Sequence, residues 1–524
     1  ASGYINDSYD MASWTFRKKE KFFDVVTWTG DSSEDQTISH NLNSSVGLII
    51  TKKTNASGHW HTFHISKGNG GYGALNANDQ FGTGAQWGVT NTTFNADGGL
   101  ANNATGDTYV AYLFADNSSE DADDQMIKCG SYTGNGSVDG PEINLGWEPQ
   151  WIIIKRSTAG APWLMYDSMR GIDALITADH DGAENSIGGV MDWVDLQATG
   201  FKIKAAGGHI NENTNNYIYM AIRAPMMVEP SAATDVFAVS TEAAFSSDRL
   251  VSAGFAVDAA ISAQTGSSGA PHMTSRLTAG TWLSPDETSA EGSGNYWLYD
   301  ESLGVKGTNA QYGSVTTVWN MWKRAKGYMD AVAYTGNATT GRTVPHSLSV
   351  IPEMIWVKRR SASSRWSVLH KDLTNALKLN EDIAATAGNY ITATSSTNFT
   401  VTSNAGLNAV NETYIAYLFA TLAGISKVGN FVGNGSSQTI SCGFSAGSRY
   451  ILIKRTDAVG DWYVWDSARG IVAGNDPHLS LNSNTAQVTT DDSVDPANSG
   501  FIVNQVSATN INVSSGTYIF YAIA

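Results

Sequence analysis

Two stretches of the chain repeat a set of side chains able to do chemistry. Residues 163–172 read WLMYDSMRGI and residues 462–471 read WYVWDSARGI. Each joins a tryptophan to a carboxylate (Asp167, Asp466) and a guanidinium (Arg170, Arg469). A carboxylate in such company could serve as a general acid or base. It could also close a turn beneath a packed tryptophan. The chain itself separates the two readings. Tryptophan leads similar stretches at Trp60, Trp297 and Trp366, whereas the aspartate gives way to His64 and His370. A catalytic carboxylate would not alternate with histidine inside an unchanged framework. The pattern therefore predicts tryptophans that anchor a core in all five stretches, with Asp167 and Asp466 held by arginine or backbone donors near a hairpin.

Metal chemistry has two candidate sets. GHWHTFH brings His59, His61 and His64 close together. On a strand, His59 and His61 share a face and His64 points away. A His-x-His pair supplies two nitrogens to a transition metal, and three chains around an axis would supply six. Surface histidines are the plainer alternative. Oxygen ligands gather at Asp179, Asp181 and Glu184, and again across 116–125. Neither run has the twelve-residue spacing of a Ca²⁺ loop, and the second reads equally as a solvated linker. No other cofactor is expected.

GNGGYG (68–73) fits G-x-G-x-x-G without the strand and helix that a phosphate loop needs, so it reads as a loop. H-E-x-x-H, P-loop and G-x-S-x-G patterns are missing. The paired carboxylates of a glycosidase come from distant strands and leave no local signature. The sequence nominates no catalytic residue, and the expectation is a protein that is not an enzyme.

The elements that position these residues recur. FDVVTWTG (23–30) matches MDAVAYTG (329–336), SYTGNGS matches NFVGNGS, TYVAYLFA matches TYIAYLFA and YIYMAI matches YIFYAI. The spacings are about 299 for one pair of units and about 306 for the other. Four units of about 95 residues follow: 21–116, 127–224, 327–421 and 427–524, with a divergent unit at 232–323 between them. Each holds short apolar runs ending in WIIIKR, YILIKR, GLIITKK or EMIWVKRR, then a small polar turn and a second run. That is hairpin grammar. The fold class expected is all-β: tandem antiparallel β-sandwiches of jelly-roll or immunoglobulin/lectin-like kind.

Residues 1–20 stand apart. ASWTFRKKEKFFD (12–24) resembles VWNMWKRAKGYMD (318–330), the end of the divergent unit. The expectation is the last strand of a preceding unit in a longer or processed product, or an arm that pairs with a neighbouring subunit. Trp14 and Phe16 are the predicted interface residues.

The chain has 524 residues, too many for one core, and a net charge of −17 that opposes general nucleic-acid or anionic-membrane binding. No apolar run is long enough for a spanning helix. The N-terminal stretch lacks the basic and apolar regions of a signal peptide. Cys129 and Cys442 sit at apolar positions of their repeats, which predicts free, buried thiols.

The combination of YTGNGS, LGWEPQWIIIKR, WLMYDSMRGI and YIYMAIR with its partner run VGNGSSQTISCGFSAGSRYILIKRTDAVGDWYVWDSARGI resembles the repeat modules of fibre and adhesin-type virion proteins of tailed bacteriophages, marine phages above all. The resemblance covers the chain from about residue 12 onward and is weak over 232–323. It implies an extracellular, non-enzymatic virion appendage whose β-sandwich modules display variable loops, and the expectation is a fibre or adhesin that binds bacterial surface glycans or anchors to the virion. Its implied partners are copies of itself (a trimer or helical stack), other virion proteins and bacterial surface polysaccharide. The first unit departs from the pattern where HTFHISKGNGGYGALNANDQF replaces the segment seen elsewhere as LKLN, which marks it for a specialised contact. A polysaccharide-degrading tailspike and a secreted filament or surface-layer protein are the alternatives.

Overall fold

A computed structural model describes residues 12–524, apart from 101, 121–124, 169, 186–192, 225–226, 245, 267–268, 279–280, 295–296, 300, 302, 309–314, 389 and 394. The fold is all-β, as the hairpin grammar predicts. Among the described residues the only α-helix is the short turn Ala405–Asn408.

The unit at 427–524 shows the plan. One sheet runs, neighbour by neighbour, Ser426–Val432, Thr517–Ile523, Tyr450–Arg455, Trp462–Asp466 and His478–Ser480. The other runs Gln438–Ser441, Gly500–Val503 and Val494–Ala497. First and last strands pair in one sheet, and the second strand pairs with the last but one in the other. Connections at both ends therefore cross between sheets, as in a jelly roll. The units at 127–224 and 327–421 repeat this order. The first unit extends its large sheet through Gly71–Ala74 and Gly82–Thr83 and keeps a two-stranded partner, Asp35–Ser39 with Thr93–Asp97. The divergent unit has a four-stranded sheet, Phe237–Glu242, Thr317–Trp322, Ala259–Gln264 and His272–Ser275, over a three-stranded one.

The large sheets are buried on both faces, which is why their strands read as nearly continuous apolar runs rather than alternating ones. In Thr517–Ile523, Tyr518, Phe520 and Ala522 face the unit's own small sheet. Ile519, Tyr521 and Ile523 enter a second core shared with the divergent and third units. That shared core includes Phe237, Trp322, Trp356, Phe419 and Tyr450. The first two units share another, in which Phe23, Phe63, Phe114, Trp151 and Trp163 meet. The large-sheet strands thus serve two cores at once, a burial that helps to offset the ordering entropy of the chain.

Because first and last strands are neighbours, one unit hands over to the next through a tight turn. Ala325 bridges Met329 between the divergent and third units, and Leu422 bridges Ser426 between the third and fourth. Lys19 bridges Phe23 in the same way ahead of the first.

The prediction that tryptophan leads the same strand in all five units needs correction. In the divergent unit, the strand paired with Ala259–Gln264 is His272–Ser275, preceded by Pro271. Trp297 belongs instead to the small sheet, paired with Gly307. A Trp-led match in sequence was met by a strand of different topological rank.

Candidate functional site

The repeated carboxylates close turns. Asp466 is fully buried and accepts hydrogen bonds from Ala468 N and Arg469 N (3.1 and 3.0 Å) and from Arg469 Nε (2.7 Å). Asp167 accepts from Arg170 N (2.8 Å) and Nε (2.7 Å), and from Trp14 Nε1 (3.0 Å). Both oxygens of each carboxylate are engaged in the turn. Both pairs are buried rather than exposed, so removing one partner would cost more than a surface pair would.

The histidines do not form a ligand set. His59 and His61 do share a face, with ring centroids 5.8 Å apart. His64 lies on the far side, buried in the joint with the second unit. Its Nδ1 accepts from Ser66 N (3.2 Å), which leaves Nε2 as the donor to Tyr219 O (3.0 Å). Burial pushes its pKa down to about 4. Burial also lowers that of His61.

The acidic set is likewise dispersed. Asp179 accepts from Trp163 N (2.9 Å), the task that Asn76, Asn380 and Asn482 perform for Trp60, Trp366 and Trp462. An aspartate that does the work of asparagines is a strand cap. Glu184 is spent on Arg170 Nη1 (2.7 Å). Asp181 stands apart on the wall of a cavity. Among the described residues no group of three metal-ligating side chains converges. In the 116–125 run, 121–124 lie outside the described residues, and Asp116 accepts from Ser118 Oγ (2.6 Å) and Cys129 N (3.1 Å). Cys129 and Cys442 are free and buried, as predicted. GNGGYG contributes to a turn and the strand Gly71–Ala74.

Trp14 and Phe16, predicted at a contact between subunits, are seated within the chain. Trp14 lies edge-on to Trp151 (6.3 Å), and Phe16 packs against Phe114 (5.3 Å) and Trp151 (6.1 Å).

The most regular assembly was only half visible in sequence. It is a joint, built three times, in which a lysine and a tryptophan of one unit reach backbone carbonyls of the unit before it. Lys358 Nζ donates to Thr288 O (3.1 Å) and Ser289 O (2.6 Å), and Trp366 Nε1 to Ser284 O (2.9 Å). Lys454 Nζ donates to Asp382 O and Ile383 O (both 2.9 Å), and Trp462 Nε1 to Lys378 O (2.9 Å). Lys155 Nζ donates to Asn78 O (3.0 Å), and Trp163 Nε1 to Ala74 O (2.9 Å). All three lysines are buried, and burial brings each pKa down to about 8. The signal was there: the lysine that ends each apolar run in the IKR and VKR motifs recurs at one repeat position. It read as no more than the end of an apolar run before a polar turn, because carbonyl acceptors carry no side-chain identity.

A backbone bond accompanies each joint: Phe81 N to Ser157 O (3.1 Å), Glu291 N to Arg360 O (2.8 Å) and Ala385 N to Thr456 O (2.9 Å). A fourth, Gln487 N to Thr265 O (3.1 Å), runs from the last unit back to the divergent one. The divergent, third and fourth units thus form a closed ring. At its closing contact Leu479 packs on Ala263 and Val318 in place of the lysine and tryptophan.

Between the ring and the first two units lies a cavity of about 2250 Å³, lined by Trp14, Trp151, Arg170 and Glu184 on one side and by Asp258, Arg276, Tyr299 and Arg324 on the other. Arg170, Arg276 and Arg324 on its wall are engaged. Arg324 holds Glu148 in a fork (2.7 and 3.0 Å) and Asp330 through Nε (2.7 Å). Burial raises the pKa of Glu148 despite that arginine. Asp258 is also raised by burial and accepts from Arg324 N (2.7 Å). Arg276 lies over the Tyr299 ring (5.4 Å). The arrangement suits welding two bodies through desolvated ion pairs, which cost far more to break than surface ones.

Among curated proteins none matches the chain. The family described as a domain of unknown function (DUF7483) matches residues 3–225 and 246–524, nearly the whole length and every joint described above, and the chain belongs to that family.

Proposed function

We propose that the chain is a non-enzymatic structural subunit of an extracellular virion appendage, of tail-fibre or adhesin type, that presents its divergent loops to bacterial surface glycans. The observation that carries this reading is the joint repeated between units. A lysine, a tryptophan and a backbone bond are spent three times over on holding sandwiches in fixed relation. Such a scaffold gives several loop sets a common frame, and weak glycan contacts gain from being held at high effective concentration. Loops on a rigid support are where recognition concentrates.

Two measurements test it. Antibodies against the chain should label an appendage on phage particles in electron micrographs. The purified chain should co-sediment with host surface polysaccharide and leave its length unchanged. Polysaccharide shortening would replace this reading with the tailspike. Absence of both labelling and binding would remove it.

A further inference from the structure

The first unit carries the receiving half of the joint with nothing in it. Lys52 and Trp60 stand where Lys358 and Trp366 stand in the third unit, at the end and the start of the paired strands Val46–Lys53 and His61–His64. Trp60 even keeps the cap, Asn76 Oδ1 accepting from its backbone N at 2.9 Å, and its stack on Tyr112 (6.3 Å) repeats that of Trp366 on Tyr417 (6.4 Å). Only the partner differs. Lys52 keeps the local bond, to Gly58 O (2.7 Å), that Lys454 makes to Gly460 O (2.6 Å), but reaches no carbonyl of another unit among the described residues, and its Nζ lies 5.8 Å from the Trp60 ring. Trp60 is half-buried where Trp163, Trp366 and Trp462 are at most 1% exposed, and among the described residues its Nε1 has no acceptor.

A second observation says what belongs there. Residues 12–18 lead into the first unit as 318–324 lead into the third. The Lys19–Phe23 bridge repeats Ala325–Met329. Lys18 pairs with Asp24 (2.8 Å) as Arg324 pairs with Asp330 (2.7 Å). Asp24 accepts from Val25 N and Asn41 N as Asp330 accepts from Ala331 N and Ser347 N. Phe16 touches Trp151 (6.1 Å) as Trp322 touches Tyr450 (5.6 Å). Yet Thr317–Trp322 is a central strand, bonded to Phe237–Glu242 on one edge and Ala259–Gln264 on the other. Residues 12–17 alternate between half-buried and exposed and pair with no described strand on either edge. An extended segment with both edges open, seated in a shared core, is a strand lacking its sheet.

We propose that the Lys52–Trp60 face and residues 12–16 together form the docking site for one further β-sandwich unit of the kind built by 232–323. That partner takes residues 12–16 as its last strand and brings a turn of backbone carbonyls to Lys52 Nζ and Trp60 Nε1. It would turn the first two units into a three-sandwich body of the same design as the ring. This goes beyond the appendage reading and does not depend on it.

The test places a second copy of residues 228–316 directly before residue 11 in an otherwise unaltered chain, replacing residues 1–10. Lys52 acetylation and Trp60 hydroxyl-radical oxidation are then read by mass spectrometry against the parent. Docking should slow both by at least about tenfold, because a closed joint must open before reagent enters. Trp60→Ala in the graft should restore Lys52 labelling. A folded graft in which both residues react as in the parent overturns the proposal. So does a graft whose added unit is cleaved by protease from an intact core. Light scattering on the parent supplies the remaining outcome: if it self-associates and that alone protects Lys52, the occupant is a second copy and the proposal falls.

Discussion

The ring at 232–524 and the pair at 21–224 are built from the same strands, turns and joint residues, yet only the ring closes on itself. In the ring, each large sheet meets two neighbours, and Trp322, Trp356, Phe419 and Tyr450 fill the space between them. In the pair, that space is filled by the two aromatics of a single extended segment, Trp14 and Phe16. The same motif therefore has two energetic values. A tryptophan at a closed joint is a core residue, whereas the one at the open joint is half-buried and held by its cap and its stack on Tyr112.

The sharpest way to break this comparison is to delete both. Trp366→Ala removes a fully buried ring together with its bond to Ser284 O and should destabilise the chain by about 3–5 kcal/mol. Trp60→Ala, at the same repeat position, should cost at most about 1 kcal/mol. Denaturant unfolding followed by circular dichroism gives both values. Equal losses would mean that the first unit's joint is closed after all.

The ion pairs at the two handover turns come next. Asp330 is fully buried against Arg324, which is 14% exposed. Asp330→Ala takes one of two carboxylates from that guanidinium, which keeps Glu148, and leaves Ala331 N and Ser347 N without their acceptor in a buried site, so it should cost about 3 kcal/mol. In the pair, Lys18 is 59% exposed and returns to water when Asp24 is lost. Asp24→Ala should therefore cost less, about 1–2 kcal/mol for the two backbone donors left unsatisfied. The reverse ranking in thermal melts would refute the idea that burial by a third unit, and not the local turn, sets the value of the pair.

How much of this could be read from residues alone follows from where the information lies. The sandwich class was legible because hairpin runs and turn residues are local. The role of Asp167 and Asp466 was legible because the chain carries its own controls in His64 and His370. The rank of Trp297 was not, because topological order depends on which strands pair, and a Trp-led run in the small sheet looks like one in the large sheet. The closed ring was not legible either. Its closing bond, Gln487 N to Thr265 O, joins backbone groups that every residue possesses. Asp179 misled for the opposite reason: a carboxylate advertises a metal, yet here it does what an amide does in three other units.

Protonation of His64 should separate the shared core of the pair from the rest. Its folded pKa is about 4, below the ordinary 6.5, because burial between two units disfavours the cation. The unfolded chain therefore binds the proton first as pH falls. The stability that neutral His64 contributes is complete above about pH 6.5 and is lost as pH drops toward 4. His64→Gln keeps a donor for Tyr219 O without titrating. Relative to that variant, the parent should lose about 1.4 kcal/mol per pH unit across this window. A constant difference from pH 7 to pH 4.5 would show that the joint opens freely to water.

The smallest effect should come from removing metal, and its size tells which histidines matter. A transition-metal site at His59, His61 and His64 needs three nitrogens turned to one point. Instead His64 Nδ1 is occupied by Ser66 N, and its Nε2 is committed to Tyr219 O. Only His59 and His61 remain side by side, one exposed and one half-buried. EDTA at neutral pH should then move the melting temperature by less than about 1 °C, the change expected from a few tenths of a kcal/mol. His61→Ala should leave that result as it is, while His64→Gln alters the acid limb alone. A larger EDTA shift that His61→Ala abolishes would put a metal on that pair. The first unit's departure from the repeat pattern would then be a ligand site as well as an open joint.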